Sequence, residues 1–262
     1  MAQVAGASNF QASGDAYDAF MGRYSRALAG PFADFAGVPS GRRALDVGCG
    51  PGALTGELVR RLGAGQVAAC DPSPSFVAAC RERHPGVDVR DSPAEALPFD
   101  DASFDVSLSQ LVLHFVTDPA AAGAEMARVV RPGGTVASCV WNFDAGTQML
   151  GAFWEAAASL DPDAPEERRV LRFGRPGEIS QWLGDANLTG ITETTITVSA
   201  TYRDFEDLWT GFLAGVGPAG SYCLSLSPER REALRVALRE RLGEPTAPFT
   251  LAAGARAARG VR

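Results

Sequence analysis

The chain of 262 residues has only two histidines, His84 and His114, and five cysteines with no CxxC pair among them. Two histidines at that separation offer no ligand spacing, so no metal centre is expected. Cys49, Cys70, Cys80, Cys139 and Cys223 are odd in number and cannot all pair. Apolar or small neighbours at three of these positions point to buried free thiols rather than disulfides. Positive charge is also scarce, with 24 Lys and Arg against 31 Asp and Glu, a net charge of −7. That balance argues against a nucleic-acid partner, because phosphate binding draws on clustered cations. No apolar run approaches the roughly 18 residues of a membrane span. No basic segment leads into an apolar one at the start. The expectation is a cytoplasmic protein without a membrane span.

What is present is an apolar content of 46%, ordinary for a globular enzyme. There is chain enough for one large α/β domain, or one domain with an inserted cap. Residues 1–14, rich in Ala, Gly, Ser and Gln, read as a mobile start. Phe20, Tyr24, Leu28 and Phe32 then recur four apart, one face of a helix from Tyr17 to Phe35. Strand patterns follow at 43–47, 66–70, 87–91, 104–110 and 135–141. Helical patterns cover 53–62, 76–83 and 119–130, the last stopped by Arg-Pro-Gly-Gly at 131–134. Such alternation predicts a parallel, doubly wound sheet with ligands at the carboxyl ends of its strands. The rhythm then changes: helical patterns at 148–160, 177–184, 204–215 and 227–243 mix with strand patterns at 190–200 and 248–262. Three parts are expected. Residues 1–41 form a helical segment covering the site and 42–141 an α/β core. Residues 142–262 complete the sheet and carry helical lids at about 142–185 and 200–247.

Residues 44–58 read ALDVGCGPGALTGEL, an apolar run ending on Asp46 and Val47, then Gly48, Gly50 and Gly52 ahead of a helix. Glycine lets a ligand lie directly on main-chain N–H groups, and a helix N-terminus favours negative charge. A nucleotide or nucleoside is the default ligand, and a ligand-free glycine turn the plain alternative. The spacing is GxGxG, not the dinucleotide GxGxxG, and no Lys follows to complete a phosphate loop. Asp71 closes the second strand, where a carboxylate would hold a ribose diol. The loop suits a nucleoside whose charge is not concentrated in phosphates.

Four stretches in order, LDVGCGPG, ACDPSPSFVAAC, AEALPFDDASFDV and EMARVVRPGG, span about residues 43–141. Together they resemble the class I S-adenosylmethionine-dependent methyltransferases, in particular the small-molecule branch with ubiquinone/menaquinone-biosynthesis-type enzymes. AYDAFMGRYSRALA at 16–29 resembles that branch's pre-core helix. The resemblance implies an α/β fold, a doubly wound, mostly parallel seven-stranded sheet of the Rossmann-like methyltransferase kind, with an N-terminal helix and helical lid insertions. It implies S-adenosyl-L-methionine as cofactor. Gly48 and Gly50, with Cys49 between them, would lie against its methionine part, and Asp46 would hold its amino group through water. Tyr17 and Arg23 would come near the methionine end, Arg23 either pairing with the carboxylate or remaining a solvated helix arginine. Asp71, followed by Pro72, would accept both ribose hydroxyls, a contact of roughly 1.5–3 kcal/mol. Ala94 and Glu95 would meet the adenine edge through their backbone, and Gln110 would aim its backbone carbonyl at the cofactor's ammonium. The family commonly has an acidic residue just before AEALPF. This chain has Pro93 there, and Asp91, two residues earlier, is an open substitute.

Methyl transfer from a sulfonium is an in-line displacement in which the protein mainly aligns acceptor, methyl and sulfur. A base is needed only where the acceptor carries a proton. His114, in QLVLHFV after the fourth strand, is the candidate base or polar contact, against a packing role. His84, before Pro85, reads as a solvated helix C-cap. SQLVLH stands where amino-methylating DNA enzymes carry [DNS]PP[YF], and the cysteines are scattered rather than grouped for arsenic. What remains is a small-molecule acceptor, partly apolar or aromatic, with an O, N or C nucleophile. Trp141, Phe143, Phe153, Trp154, Trp182, Trp209 and Phe212 supply aromatic surface, at least half of it ordinary core. Two other classes stay open: a non-catalytic regulator or scaffold that binds the same cofactor, and a Rossmann oxidoreductase, which the glycine spacing disfavours. A second copy of the chain is kept as an optional partner.

Overall fold

The computed structural model describes residues 14–38, 40–142 and 146–262, leaving aside the side chains of residues 168 and 170. The expected mobile start therefore lies outside the described residues, apart from Gly14. Five parallel strands form from the expected runs: β1 (Ala44–Val47), β2 (Val67–Asp71), β3 (Asp88–Asp91), β4 (Phe104–Gln110) and β5 (Val130–Trp141). β1, β2 and β4 are buried at every position, because helices cover both faces and no alternation is needed. β6 (Thr189–Tyr202) and β7 (Phe249–Val261) complete a seven-stranded sheet of order β3-β2-β1-β4-β5-β7-β6. β7 runs antiparallel to both of its neighbours.

At the N-terminal side α1 (Gly14–Tyr17), one π-helical turn (Asp18–Gly22) and α2 (Arg23–Ala36) follow without a break. Their apolar face is the expected one, with Tyr24, Leu28 and Phe32 fully buried. The crossovers are α3 (Ala53–Leu62), α4 (Pro74–Arg83) and α5 (Pro119–Val129). Pro74 and Pro119 open their helices with a preset φ, and Asp118 caps α5 by accepting the Ala121 N–H at 3.0 Å. The Arg-Pro-Gly-Gly tract expected to stop α5 is already part of β5, which starts at Val130 and absorbs a register shift opposite Phe104 and Val106.

Beyond β5 come α6 (Gln148–Leu160), α7 (Glu167–Val170) and α8 (Glu178–Asp185). Between β6 and β7 lie α9 (Phe205–Leu213), α10 (Gly217–Ser225) and α11 (Pro228–Arg241). Turn-type residues Gly217, Pro218 and Gly220 hid α10 from the periodicity. α8 also departs from expectation. It belongs to the core rather than to a lid, since Trp182 is buried with Val129, Val136 and Leu183, and its indole N–H donates to the Pro119 carbonyl at 2.6 Å. All five cysteines are buried free thiols. Among the described residues no helix is long and apolar enough to cross a membrane.

Candidate functional site

The carboxyl ends of β1, β2 and β4 open into one cavity of about 500 Å³, roofed by the N-terminal helix, α6, α7 and the start of α10. Its floor is the glycine loop. Gly48, Gly50 and Gly52 take φ of 73°, 53° and 96°, the left-handed region that suits glycine. The three are glycines for different reasons. A Cβ on Gly48 would meet Val112 at 2.4 Å and one on Gly52 would meet His84 at 2.6 Å, while one on Gly50 meets nothing within 4 Å. Only Gly50 presents bare backbone to open space. His84 does cap α4, and its half-buried ring also packs on the glycine loop, with Nε2 2.9 Å from the Gly52 carbonyl.

Two carboxylates flank this loop. Asp71 accepts the Gly50 N–H through Oδ2 at 2.9 Å and the Ser73 N–H through Oδ1 at 2.8 Å. Burial pushes its pKa up to about 6, against the pull of those two donors. Asp46 is buried at the end of β1, where Oδ2 accepts the Thr55 hydroxyl at 2.6 Å and Oδ1 has no hydrogen-bond partner. Burial raises its carboxyl to about 7, with Thr55 opposing. Gln110 donates from Nε2 to the Ser25 carbonyl at 2.9 Å, leaving its buried Oε1 unpartnered. Two buried acceptors without donors on one cavity wall are unusual in a folded protein and mark a place for a donor from outside.

The other side of the cavity is apolar, with two titratable groups. His114 sits on a 3₁₀ turn after β4, buried, with Nδ1 against the Arg172 carbonyl. A carbonyl only accepts, so Nδ1 carries the proton and Nε2 is the ring's acceptor nitrogen. Burial lowers its pKa to about 4, which keeps the ring neutral. Glu167 of α7 is buried too, and burial raises its carboxyl to about 7, against the Ala219 backbone N–H and the Trp154 indole that face it. Leu111, just past β4, holds φ at 65° with its N–H donating to the Cys139 carbonyl at 2.7 Å. Such strain in a non-glycine residue costs about 1–2 kcal/mol and tends to gather at functional sites.

Of the residues singled out from the sequence, Tyr17, Asp46, Gly48, Cys49, Gly50, Asp71, Pro72, Ala94, Glu95, Gln110 and His114 all line this cavity. Arg23 and Asp91 are not among its lining residues. The Arg23 guanidinium is gripped by both oxygens of Asp207, at 2.7 and 3.0 Å, and by the Thr201 carbonyl at 2.9 Å, so it ties α2 to α9 and β6. Asp91 is exposed and reaches the site only as a charge that helps raise the Asp71 pKa. The Glu95 carboxylate accepts the Thr117 and Asp118 N–H groups at 2.9 and 3.2 Å.

Among the aromatic candidates Trp141 lines the cavity and Phe143 lies outside the described residues. Phe153, Trp154, Trp209 and Phe212 form cap core, Phe153 stacking on Phe212 at 4.3 Å. Phe20, Met21, Phe115 and Glu167 line the cavity and were not foreseen from the sequence. Glu167 stands in a Glu-Glu-Arg-Arg run, where surrounding charge conceals an inward carboxyl.

Comparison with known proteins places this geometry. Residues 45–138 match the methyltransferase domain family. Phthiotriol/phenolphthiotriol dimycocerosates methyltransferase of Mycobacterium leprae is 38% identical over 100 residues, 37% of either chain. Malonyl-[acyl-carrier protein] O-methyltransferase of Erwinia billingiae is 34% identical over 136 residues, 52% of either chain. The chain thus spans about half or less of the length of the curated relatives it matches. Among solved structures, geranyl diphosphate C-methyltransferase of Streptomyces coelicolor superposes with a TM-score of 0.53 at 17% identity, over 92% of this chain and 80% of that one. That likeness concerns the fold. Residues 45–138 thus carry a methyltransferase domain, set within this seven-stranded sheet.

Proposed function

We propose that this chain is an enzyme that transfers a methyl group from S-adenosylmethionine to an O, N or C nucleophile of a small molecule. One observation carries the reading. A single cavity joins a polar floor, made by Asp46, Gly50 and Asp71, to an apolar side holding His114. The floor fits the cofactor. Asp46 Oδ1 and Gln110 Oε1 await donors, and an ammonium group supplies them. Gly50 leaves room for a ligand against the loop, and Asp71, fixed by two backbone donors, keeps lone pairs for a ribose diol. Bound there, the cofactor supplies an electrophilic methyl whose carbon–sulfur electron pair returns to sulfur as the acceptor's lone pair forms the new bond.

The chain itself aligns and excludes water. Phe20, Met21, Trp141 and Leu150 close the cavity above the floor, which lets alignment replace chance encounter. His114, neutral and buried in the apolar side, is a polar contact beside the acceptor. With its pKa lowered to about 4, it is a weak base, so contact rather than proton abstraction is its main task. Calorimetry with S-adenosylmethionine tests the cofactor, with NADH expected to show no measurable binding. Release of S-adenosylhomocysteine across an acceptor panel then tests turnover. Tight NADH binding without S-adenosylmethionine binding overturns the reading, and cofactor binding without turnover on any acceptor supports a regulator instead.

A further inference from the structure

The cavity wall has a one-sided charge. Among the described residues no arginine lines it, and the chain contains no lysine at all. His114, the one wall side chain able to become positive, is kept neutral by burial. Against this stand five carboxyl groups, Asp46, Asp71, Glu95, Asp118 and Glu167. Four have work elsewhere: Asp46 and Asp71 shape the floor, Glu95 accepts two backbone N–H groups, and Asp118 caps α5.

Glu167 is different. It comes from α7, outside the strand ends that make the floor, and it is buried. The neighbouring Arg169 pairs with Glu166 rather than with it, at 3.2 Å. A buried carboxyl on an apolar wall is costly unless donors reach it; the Ala219 N–H faces it from α10, and its place in the cavity lining opens it to a donor from inside. Group and surroundings suit a hydrogen-bond donor. An anion placed there meets like charge in a poorly solvated space with no counter-ion among the described lining residues.

Resting on the methyl-transfer reading above, we propose that Glu167 selects the acceptor, and that the acceptor is a neutral or cationic, largely apolar alcohol, phenol or amine. Its O–H or N–H donates to the Glu167 carboxyl, and acceptors bearing phosphate, diphosphate or carboxylate are rejected.

The test uses four probes with one apolar body: 2-naphthol, 2-naphthylmethylamine, 2-naphthoate and 2-naphthyl phosphate. Each is titrated by calorimetry into protein saturated with S-adenosylhomocysteine. Failure of S-adenosylhomocysteine to bind counts against the cofactor reading alone, and the same four titrations are then run on the free protein. The alcohol and amine are expected to bind at least about tenfold tighter than the two anions. Glu167→Gln is expected to weaken the amine about tenfold while S-adenosylhomocysteine stays within about twofold. Glu167→Asp, which retains the charge, is expected to keep the preference for amine over carboxylate. Anions binding as tightly as the amine, or no probe binding, overturns the substrate class. Unchanged amine affinity in a Glu167→Gln protein with wild-type circular dichroism removes Glu167. Should that variant fail to fold, loss of the amine preference in a folded Glu167→Asp protein removes it instead.

Discussion

The floor and the roof of the cavity are built by different means. On the floor, Asp46 bonds Thr55 nine positions away and Asp71 bonds Gly50 across 21, and the loop turns on three glycines within five residues. The roof gathers Tyr17, Leu150, Glu167 and Val216 from separate parts of the chain. Its braces are long: Arg23 reaches Asp207 across 184 positions and His114 reaches Arg172 across 58. A short-range site is encoded where it stands. A long-range one exists only when distant segments agree, so it can vary while the floor stays constant.

Two glycines give the largest contrast. Gly48 and Gly217 both line the cavity with positive φ, 73° and 65°, but a Cβ on Gly48 strikes Val112 at 2.4 Å while one on Gly217 meets nothing within 4 Å. Gly48→Ala is expected to cost about 3 kcal/mol or more, a fall in melting temperature of roughly 6–12 °C. Gly217→Ala carries the strain alone, about 1 kcal/mol. Equal melting losses break the distinction. Next, Asp71→Ala should weaken S-adenosylmethionine by about one to two orders of magnitude in calorimetry, and equal affinities would remove Asp71 from the floor.

Asp207→Ala probes the roof's bracing. Its side chain is 6% exposed and holds both Arg23 and Arg203, which keeps its carboxyl well below the usual range. Removing it strands Arg23, with an expected loss of about 2 kcal/mol by chemical denaturation. Cofactor affinity should stay within about twofold, and a larger change would return Arg23 to the cofactor site. The smallest effect is a pH dependence of the floor. Asp71 and Asp46 are raised from 3.8 to about 6 and about 7, so the folded state holds their protons more tightly than the unfolded chain. Their contribution to stability is present below roughly pH 4 and is lost as pH rises towards about 7. A ligand that needs their charge works in the opposite sense. The melting increment produced by S-adenosylhomocysteine should therefore grow from pH 5.5 to 8, and a flat increment would show that these carboxylates are not its partners.

The same division governs what could be read in advance. β4 and α3 match their expected bounds to the residue, because each is a run of one clear pattern ahead of a turn. The floor residues were legible through glycine spacing and strand-terminal acids. Arg23 was not, because a helical arginine near a site has no local sign that a carboxylate in α9 already claims it. Trp182 lies within the expected lid and belongs to the core, since nothing in a short helical pattern tells which layer it joins. Glu167 gave no signal at all; its burial depends on α7 meeting the start of α10.

Consider last the π-helical turn at Asp18–Gly22. Such a turn closes i→i+5 hydrogen bonds and accommodates one residue more than the α-helix around it. Upstream of it Tyr17 faces the cavity, and downstream Tyr24, Leu28 and Phe32 are buried in the core. Winding it into regular α-helix at unchanged chain length would swing Gly14–Tyr17 by about 100° relative to α2. Tyr17 would leave the cavity while the core contacts held. The turn thus stores one extra residue without changing what the upstream segment faces, and a one-residue gap here in an otherwise similar protein would mark a regular helix that opens the same cavity.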